Sequence, residues 1–431
     1  MPSSLIESTI IFDGETVPQT PTAALDATSP DLVESMFEST PTAPPDPVFG
    51  LMDLYRQDSR PNKVNLTVGV YQNEAGLTPI LDCVKQAEQL LLQREKSKSY
   101  LPIDGLARFN SSVAELIYGS HSPVIEGSRL AIAQTPGGTG ALRIAADLLR
   151  RAMGIESIWV SQPTWANHPQ IFAAAQLQIK NYQYVNQSGT GIEFEGLVAQ
   201  LQDAGPREAI LLHTVCHNPT GFDFSDSQWE IVLQIIRERH LIPIFDFAYQ
   251  GFHRNVDDDA TPIRSHCAAG GEAIVCNSFS KNLGLYGERV GSISVVAAAA
   301  SSIPAVQSQL KSIIRTIYST PPQHGGAIAD TVFADADLRA MWLKELDRMR
   351  ERIAAVRTQF VAQMRKATSK RDFQFIAEQI GMFSFSGLDA QQAIRLRKEF
   401  AIYIVESGRI NVAGINAGNL NQICSAIADV L

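Results

Sequence analysis

A series of short apolar runs, each separated from the next by an amphipathic stretch, constrains this chain more than any other feature. Arg129–Thr135, Ser157–Ser161, Ala209–His213, Ile242–Asp246 and Ala273–Cys276 have the length and composition of buried strands. Between them lie helical stretches such as Asp226–Arg239, and Ala141–Ala152 follows a turn at Gly137-Gly138-Thr139-Gly140. Strand–helix alternation predicts an α/β fold with a mainly parallel, doubly wound sheet, and ligands at the carboxyl ends of its strands. Asp337–Ala367 reads as a long helix ending the large domain. Asp372–Leu388, Gln391–Phe400 and Arg409–Leu431 then make a smaller α+β unit, completed by residues near 48–78. The expected boundaries are 79–348 for the large domain, and 46–78 with 349–431 for the small one.

A length of 431 residues exceeds one comfortable core, which agrees with two domains. No apolar run approaches the roughly 18 residues that span a bilayer. The net charge of −9 is concentrated at one end. Residues 1–35 hold Glu7, Asp13, Glu15, Asp26, Asp31 and Glu34 and no Lys or Arg, so −9 less −6 leaves the remainder at −3; the first basic residue is Arg56. No basic face recommends nucleic acid and no polybasic cluster recommends a membrane. Residues 1–45, rich in Pro, Thr and Ser, read as a disordered acidic extension. They match neither a secretory signal nor a transit peptide, and Met36 is an alternative start. Cys83, Cys216, Cys267, Cys276 and Cys424 are scattered and without a C-x-x-C pair, which predicts reduced thiols in the cytoplasm. His213 and His217 straddle a strand end and suggest no metal site.

Several segments carry chemistry. Asn277 to Arg289 places Lys281 between hydroxyl residues at the end of an apolar run, with Arg289 eight positions later. A lysine there can form a Schiff base with an aldehyde, while Ser278, Ser280 and Arg289 can hold a phosphate. Pyridoxal phosphate carries both groups. The glycine turn before Ala141 lets backbone approach a phosphate at a helix N-terminus, and the dinucleotide fingerprint G-x-G-x-x-G is absent. Asp246 ends an apolar strand, where a carboxylate is costly unless paired, and a protonated pyridine nitrogen is a suitable partner. Tyr249 and Asn218 can donate to a ring oxygen, and Trp165 can stack on a flat ring with His168 nearby. Arg409 and Arg315 lie among apolar residues and suit carboxylates. Each segment alone also has a plainer reading: a solvated loop, a structural turn, a capping aspartate, a packing tryptophan or an ordinary ion pair.

Taken together, the segments resemble the aspartate/aromatic aminotransferase family, of fold type I among pyridoxal-phosphate enzymes, from Pro45 to Leu431. The motifs are Tyr100-Leu101-Pro102-Ile103-Asp104-Gly105, Pro163-Thr164-Trp165, His217-Asn218-Pro219-Thr220-Gly221, Asp246-x-x-Tyr249, Ser278-x-Ser280-Lys281 and Ser407-Gly408-Arg409. The resemblance implies that Lys281 holds the cofactor and shuttles the Cα proton, and that Asp246 partners the pyridine nitrogen with His168 behind it. It implies Trp165 as the stacking ring and Asn218 and Tyr249 as donors to the phenolic oxygen. Gly138, Thr139, Ser278, Ser280 and Arg289 match the phosphate cup, with Tyr100 reaching it from a second subunit. Arg409 matches the α-carboxylate clamp, and Arg315 the arginine that crosses from a partner subunit to a side-chain carboxylate. Gly69, Tyr71 and Phe383 fall at the substrate end. A homodimer with shared active sites, ping-pong transfer, and amino acid and 2-oxo acid substrates follow from the same resemblance.

Departures bear on the substrate. The family often has Asn-Leu-Gly-Val-Gly where this chain has Asn65-Leu66-Thr67-Val68-Gly69. Thr320 stands where members dedicated to aspartate usually carry asparagine and aromatic-accepting ones often carry serine. The expected activity is transamination of aspartate and glutamate, with aromatic amino acids also accepted and 2-oxoglutarate as usual acceptor. An enzyme dedicated to aromatic amino acids, a lyase or decarboxylase on the same scaffold, and a catalytically silent binding protein are the competing readings.

Overall fold

The computed structural model describes residues 37–43, 46 and 48–431. The acidic extension and the alternative start at Met36 lie almost wholly outside them. Seven strands form the central sheet: β1 (Leu130–Pro136), β2 (Ser157–Gln162), β3 (Gln178–Gln183), β4 (Ala209–His213), β5 (Ile242–Phe247), β6 (Ala273–Ser278) and β7 (Val290–Val296). Their order is β1-β7-β6-β5-β4-β2-β3. Only β7 runs antiparallel to its neighbours; the other pairings are parallel. The fold is therefore α/β with a mixed, mostly parallel sheet.

The strands alternate their side chains between two cores, as a pleat requires. Ile244, Leu211, Ile274 and Ile158 face one, with Leu142, Ile144 and Leu149 of the following helical segment. Phe245, Phe247, Leu212 and Val275 face the other, with Trp229 and Val232. Sheets covered on both faces carry continuous apolar runs, which is why β4, β5 and β6 were legible in sequence. β3 and β7 were not. β3 (Gln-Ile-Lys-Asn-Tyr-Gln) is an edge strand with half its residues exposed, and β7 mixes Gly and Ser with its valines.

The helix after β1 covers Gly137–Asp147 and so starts four residues before the sequence reading placed it. Gly137 makes the turn at φ +72°, and the next glycines then take helical geometry. A π-helical turn, Leu148–Ala152, ends that segment. The long helix spans Ala336–Ala367, with Asp335 capping its N-terminus by accepting from the amides of Asp337 and Leu338. Beyond it, Phe383–Phe385 pairs antiparallel with Arg409–Asn411, and Val64–Asn65 pairs in parallel with Ile402–Tyr403. Chain near residue 64 thus joins the carboxyl-terminal segment. Among the described residues, no helix is long and apolar enough to cross a membrane.

Candidate active site

The carboxyl ends of the parallel strands bring the chemistry-bearing residues to one edge of the sheet. β1 ends beside Gly137, β2 beside Pro163–Trp165, β4 at His213, β5 at Phe247, one residue past Asp246, and β6 at Ser278. The antiparallel strand explains Arg289. Because β7 begins where its neighbours end, with Val290 opposite Pro136 and Gly291 opposite Ser278, the residue just before it lands at the same edge.

Three pieces build an anion cradle there. The helix Gly137–Asp147 starts without a side-chain cap, so its first amides are free to donate to a ligand. Arg289 lies over Gly137: a Cβ at that glycine would sit 2.7 Å from Arg289 Nη2, and one at Gly138 would sit 3.3 Å from Ser278 Cβ. Arg289 Nη1 donates to Ser280 Oγ (3.3 Å) and to the Tyr286 carbonyl (3.1 Å), and Ser278 Oγ donates to Ser280 Oγ (3.2 Å). A guanidinium, two hydroxyls and an uncapped helix start suit a phosphate dianion.

Asp246 is buried, and His168 Nε2 lies 3.0 Å from its Oδ2. Behind that contact the hydrogen bonds have one consistent direction. The Asn218 amide donates to His213 Nδ1 (3.4 Å), so the proton of His213 sits on Nε2 and goes to Thr164 Oγ1 (3.1 Å). Thr164 then gives its own proton to His168 Nδ1 (2.8 Å), leaving His168 Nε2–H to donate to Asp246. Burial lowers the pKa of His213 to about 3, which keeps it neutral as this chain requires. Burial raises the pKa of Asp246, but the His168 hydrogen bond and neighbouring positive charge outweigh it, and the carboxyl titrates below its ordinary value. An ionised, buried carboxylate is thus held ready for a cation. The sequence reading found His168 but missed Thr164 and His213. The spacing of Thr164 and His168, four apart at a helix start, was the available signal.

Lys281 follows β6 and places its Nζ 4.9 Å from the Tyr249 ring centroid. Burial and Arg289 lower its pKa to about 8, against the opposing pull of Asp246. Trp165 is half-buried and meets His168 edge-on, with ring centroids 5.1 Å apart. Arg409 is buried. It donates to Asn218 Oδ1 (3.3 Å) and the Thr67 carbonyl (2.5 Å), and its guanidinium lies 4.3 Å from the Phe383 ring centroid. Its Nε has no hydrogen-bond partner among the described residues. Burial depresses the Arg409 pKa to about 10, still charged at neutral pH. Phe383 rests on Gly69, where a Cβ would come within 2.8 Å of its ring, and the Tyr71 amide donates to Tyr286 Oη (2.8 Å). Thr139 sits in the first turn of the cradle helix. Two expected residues point elsewhere. Tyr100 is 94% exposed, and Arg315 is exposed at the end of Ile303–Ile317, hydrogen-bonded to Ser319.

The cradle, the buried carboxylate and the low-pKa lysine fit the phosphate, ring nitrogen and aldehyde of pyridoxal phosphate. Comparison with known proteins points the same way. The model of the family "Aminotransferase class I and II" matches residues 61–427. An aspartate aminotransferase of Salmonella typhi is 48% identical over 396 residues, covering 92% of this chain and 100% of that protein. An aromatic-amino-acid aminotransferase of Escherichia coli is 42% identical over 397 residues, with coverage of 92% and 100%. Among solved structures, an aromatic-amino-acid aminotransferase of Burkholderia pseudomallei, covalently bound to pyridoxal phosphate, superposes with a TM-score of 0.89 at 45% identity, covering 92% of this chain and 100% of that one. The chain belongs to the class I and II aminotransferases and is a pyridoxal-phosphate-dependent aminotransferase.

Proposed function

We propose that the enzyme moves the amino group of aspartate and glutamate, and also of aromatic amino acids, to 2-oxo acids such as 2-oxoglutarate. The observation that carries this is the buried Arg409, whose Nε has no hydrogen-bond partner among the described residues and whose guanidinium lies on the Phe383 ring. A guanidinium in that state is suited to the α-carboxylate common to every substrate. Relatives named for aspartate and for aromatic amino acids match over the same span, which supports a site that accepts both.

In this reading Lys281 is the attachment point and the mobile base: its amine takes the proton from the substrate Cα and returns it. Pyridoxal phosphate, when bound, supplies an aldehyde for the amine and a ring that delocalises the electron pair left on Cα. Asp246 holds a proton on the ring nitrogen, kept ionised and oriented by His168, Thr164 and His213. Asn218 and Tyr249 donate to the ring oxygen, and Trp165 covers the ring face. Gly138, Thr139, Ser278, Ser280 and Arg289 bind the phosphate. Gly69, Tyr71 and Phe383 shape the substrate end.

The exposure of Tyr100 and Arg315 supports a homodimer in which each reaches the partner's site, Tyr100 toward the phosphate and Arg315 toward a side-chain carboxylate. The large domain comprises 79–348 and the small domain 46–78 with 349–431, and the enzyme works in the cytoplasm. Initial rates with aspartate, tyrosine and phenylalanine against 2-oxoglutarate, for the native protein and Arg315→Ala, test the assignment. A large loss with aspartate and a much smaller one with phenylalanine is expected. Equal losses would remove Arg315 from the substrate site, and release of alanine from aspartate would mean decarboxylation.

A further inference from the structure

Arg357 lies inside the long helix, 2% exposed, and among the described residues no carboxylate serves it. Its neighbours on the same helix behave differently: Arg350 pairs with Asp347 (2.7 Å) and Arg352 with Glu74 (3.2 Å). Instead, Arg357 Nη1 donates to the Ile376 carbonyl (3.1 Å) and to Ser384 Oγ. Its Nη2 donates to the carbonyls of Ile380 (3.2 Å), Gly381 (2.7 Å) and Phe383 (2.5 Å). A buried cation is expensive, and a methionine would fill the space without that cost. What only a guanidinium offers is a planar fork of donors that fixes several carbonyls of a winding segment at once; an ammonium has three donors and no plane.

The segment so fixed touches the substrate end twice. The Ile380 amide donates to the Gly221 carbonyl (2.7 Å), tying it to the turn that carries Asn218. Phe383 begins the strand paired with Arg409–Asn411, and its ring lies against the Arg409 guanidinium, on Gly69 and edge-on to Tyr249 (6.2 Å, 80°). A shift of the Phe383 main chain therefore moves the ring that Arg409 lies on.

We propose that Arg357 is a positioning residue for substrate carboxylate binding, acting through Phe383 and the pairing of its strand with that of Arg409. The proposal rests on the reading of Arg409 as the carboxylate clamp.

The test measures binding of succinate, a non-reacting dicarboxylate, to the loaded enzyme by titration calorimetry, with the cofactor absorbance as a check on the rest of the site. Arg357→Lys is expected to raise the succinate Kd by about tenfold while leaving cofactor affinity within about twofold. Phe383→Leu is expected to weaken succinate similarly, and the double variant to be no weaker than the worse single one, because both act through one element. Should Arg357→Lys not fold, Ser384→Ala, which removes one acceptor, is expected to weaken succinate by about threefold. A folded variant that binds succinate like the native enzyme, or losses that multiply in the double variant, overturns the proposal. Arg409→Lys separates the two failures: if it leaves succinate binding unchanged, the clamp reading fails and this proposal with it. If it weakens succinate and Arg357→Lys does not, only the proposal fails.

Discussion

His168 Nε2 stands 3.0 Å from Asp246 Oδ2, and the direction of that hydrogen bond is set three links away, at the amide of Asn218. A backbone N–H cannot reverse its role, so with a neutral His168 every proton between it and the carboxylate has one place to be. The consequence is an ionised acid whose orientation does not depend on a charged histidine.

Thr164→Val keeps the shape of the side chain and removes the hydroxyl in the middle of the relay. His168 is then free to place its proton on either nitrogen, and Asp246 loses an obligatory donor. Turnover is expected to fall by about tenfold, the loss of one charge-assisted hydrogen bond. The low-field His168 N–H resonance in proton NMR should broaden in the variant. Unchanged turnover together with an unchanged resonance counts against the relay.

His213 titrates at about 3 in the fold against 6.5 as its ordinary value, because burial disfavours its charged form. The unfolded chain therefore binds one more proton than the folded one between those two pH values. Stability is lost as pH falls through 6.5 toward 3 and is fully present above 6.5. His213→Gln removes this term, so urea denaturation of cofactor-free protein from pH 7 to pH 5 should cost the native chain about 2 kcal/mol more than the variant. Parallel curves for the two proteins would contradict a buried neutral histidine.

Lys281 has its pKa lowered to about 8. In cofactor-free protein about a tenth of its amine is neutral at pH 7, several hundred times the fraction of an ordinary lysine. Acetylation rates followed by peptide mass spectrometry should rise with pH up to about 8 and level off above. Because the Asp246 charge favours the ammonium, Asp246→Asn should move that midpoint lower. A midpoint near the ordinary 10.5 would place Lys281 in open solvent.

Gly137→Ala puts a Cβ at φ +72° and 2.7 Å from Arg289 Nη2. The strain and the displaced guanidinium fall on the cradle and not on the sheet below. Cofactor affinity is expected to drop by about tenfold or more, about 1.4 kcal/mol, and the strained backbone to lower the stability of cofactor-free protein by about 1 kcal/mol. Equilibrium dialysis with pyridoxal phosphate reads the first and thermal melting the second.

Much of the fold and the site was legible because both are written locally. Runs such as Ile242–Asp246 are apolar throughout only when a sheet is covered on both faces, and the polar residue ending each one marks the ligand edge. The antiparallel β7 was not legible, since Gly291, Ser292 and Ser294 dilute its apolar pattern and its place is set by pairing with β1 and β6. Thr164, His213 and Arg357 escaped for a related reason. Threonine, a strand-end histidine and a mid-helix arginine are ordinary in sequence, and the contacts that reveal them are distant: 49 positions separate Thr164 from His213, and 19 to 27 separate Arg357 from its acceptors.

The attachment of the cofactor at position 281 carries the whole assignment. Borohydride reduction of the loaded enzyme, followed by proteolysis and mass spectrometry, should give one pyridoxyl-labelled peptide with the label on Lys281. A label on another residue, or no label on a protein that has bound the cofactor, would contradict the account.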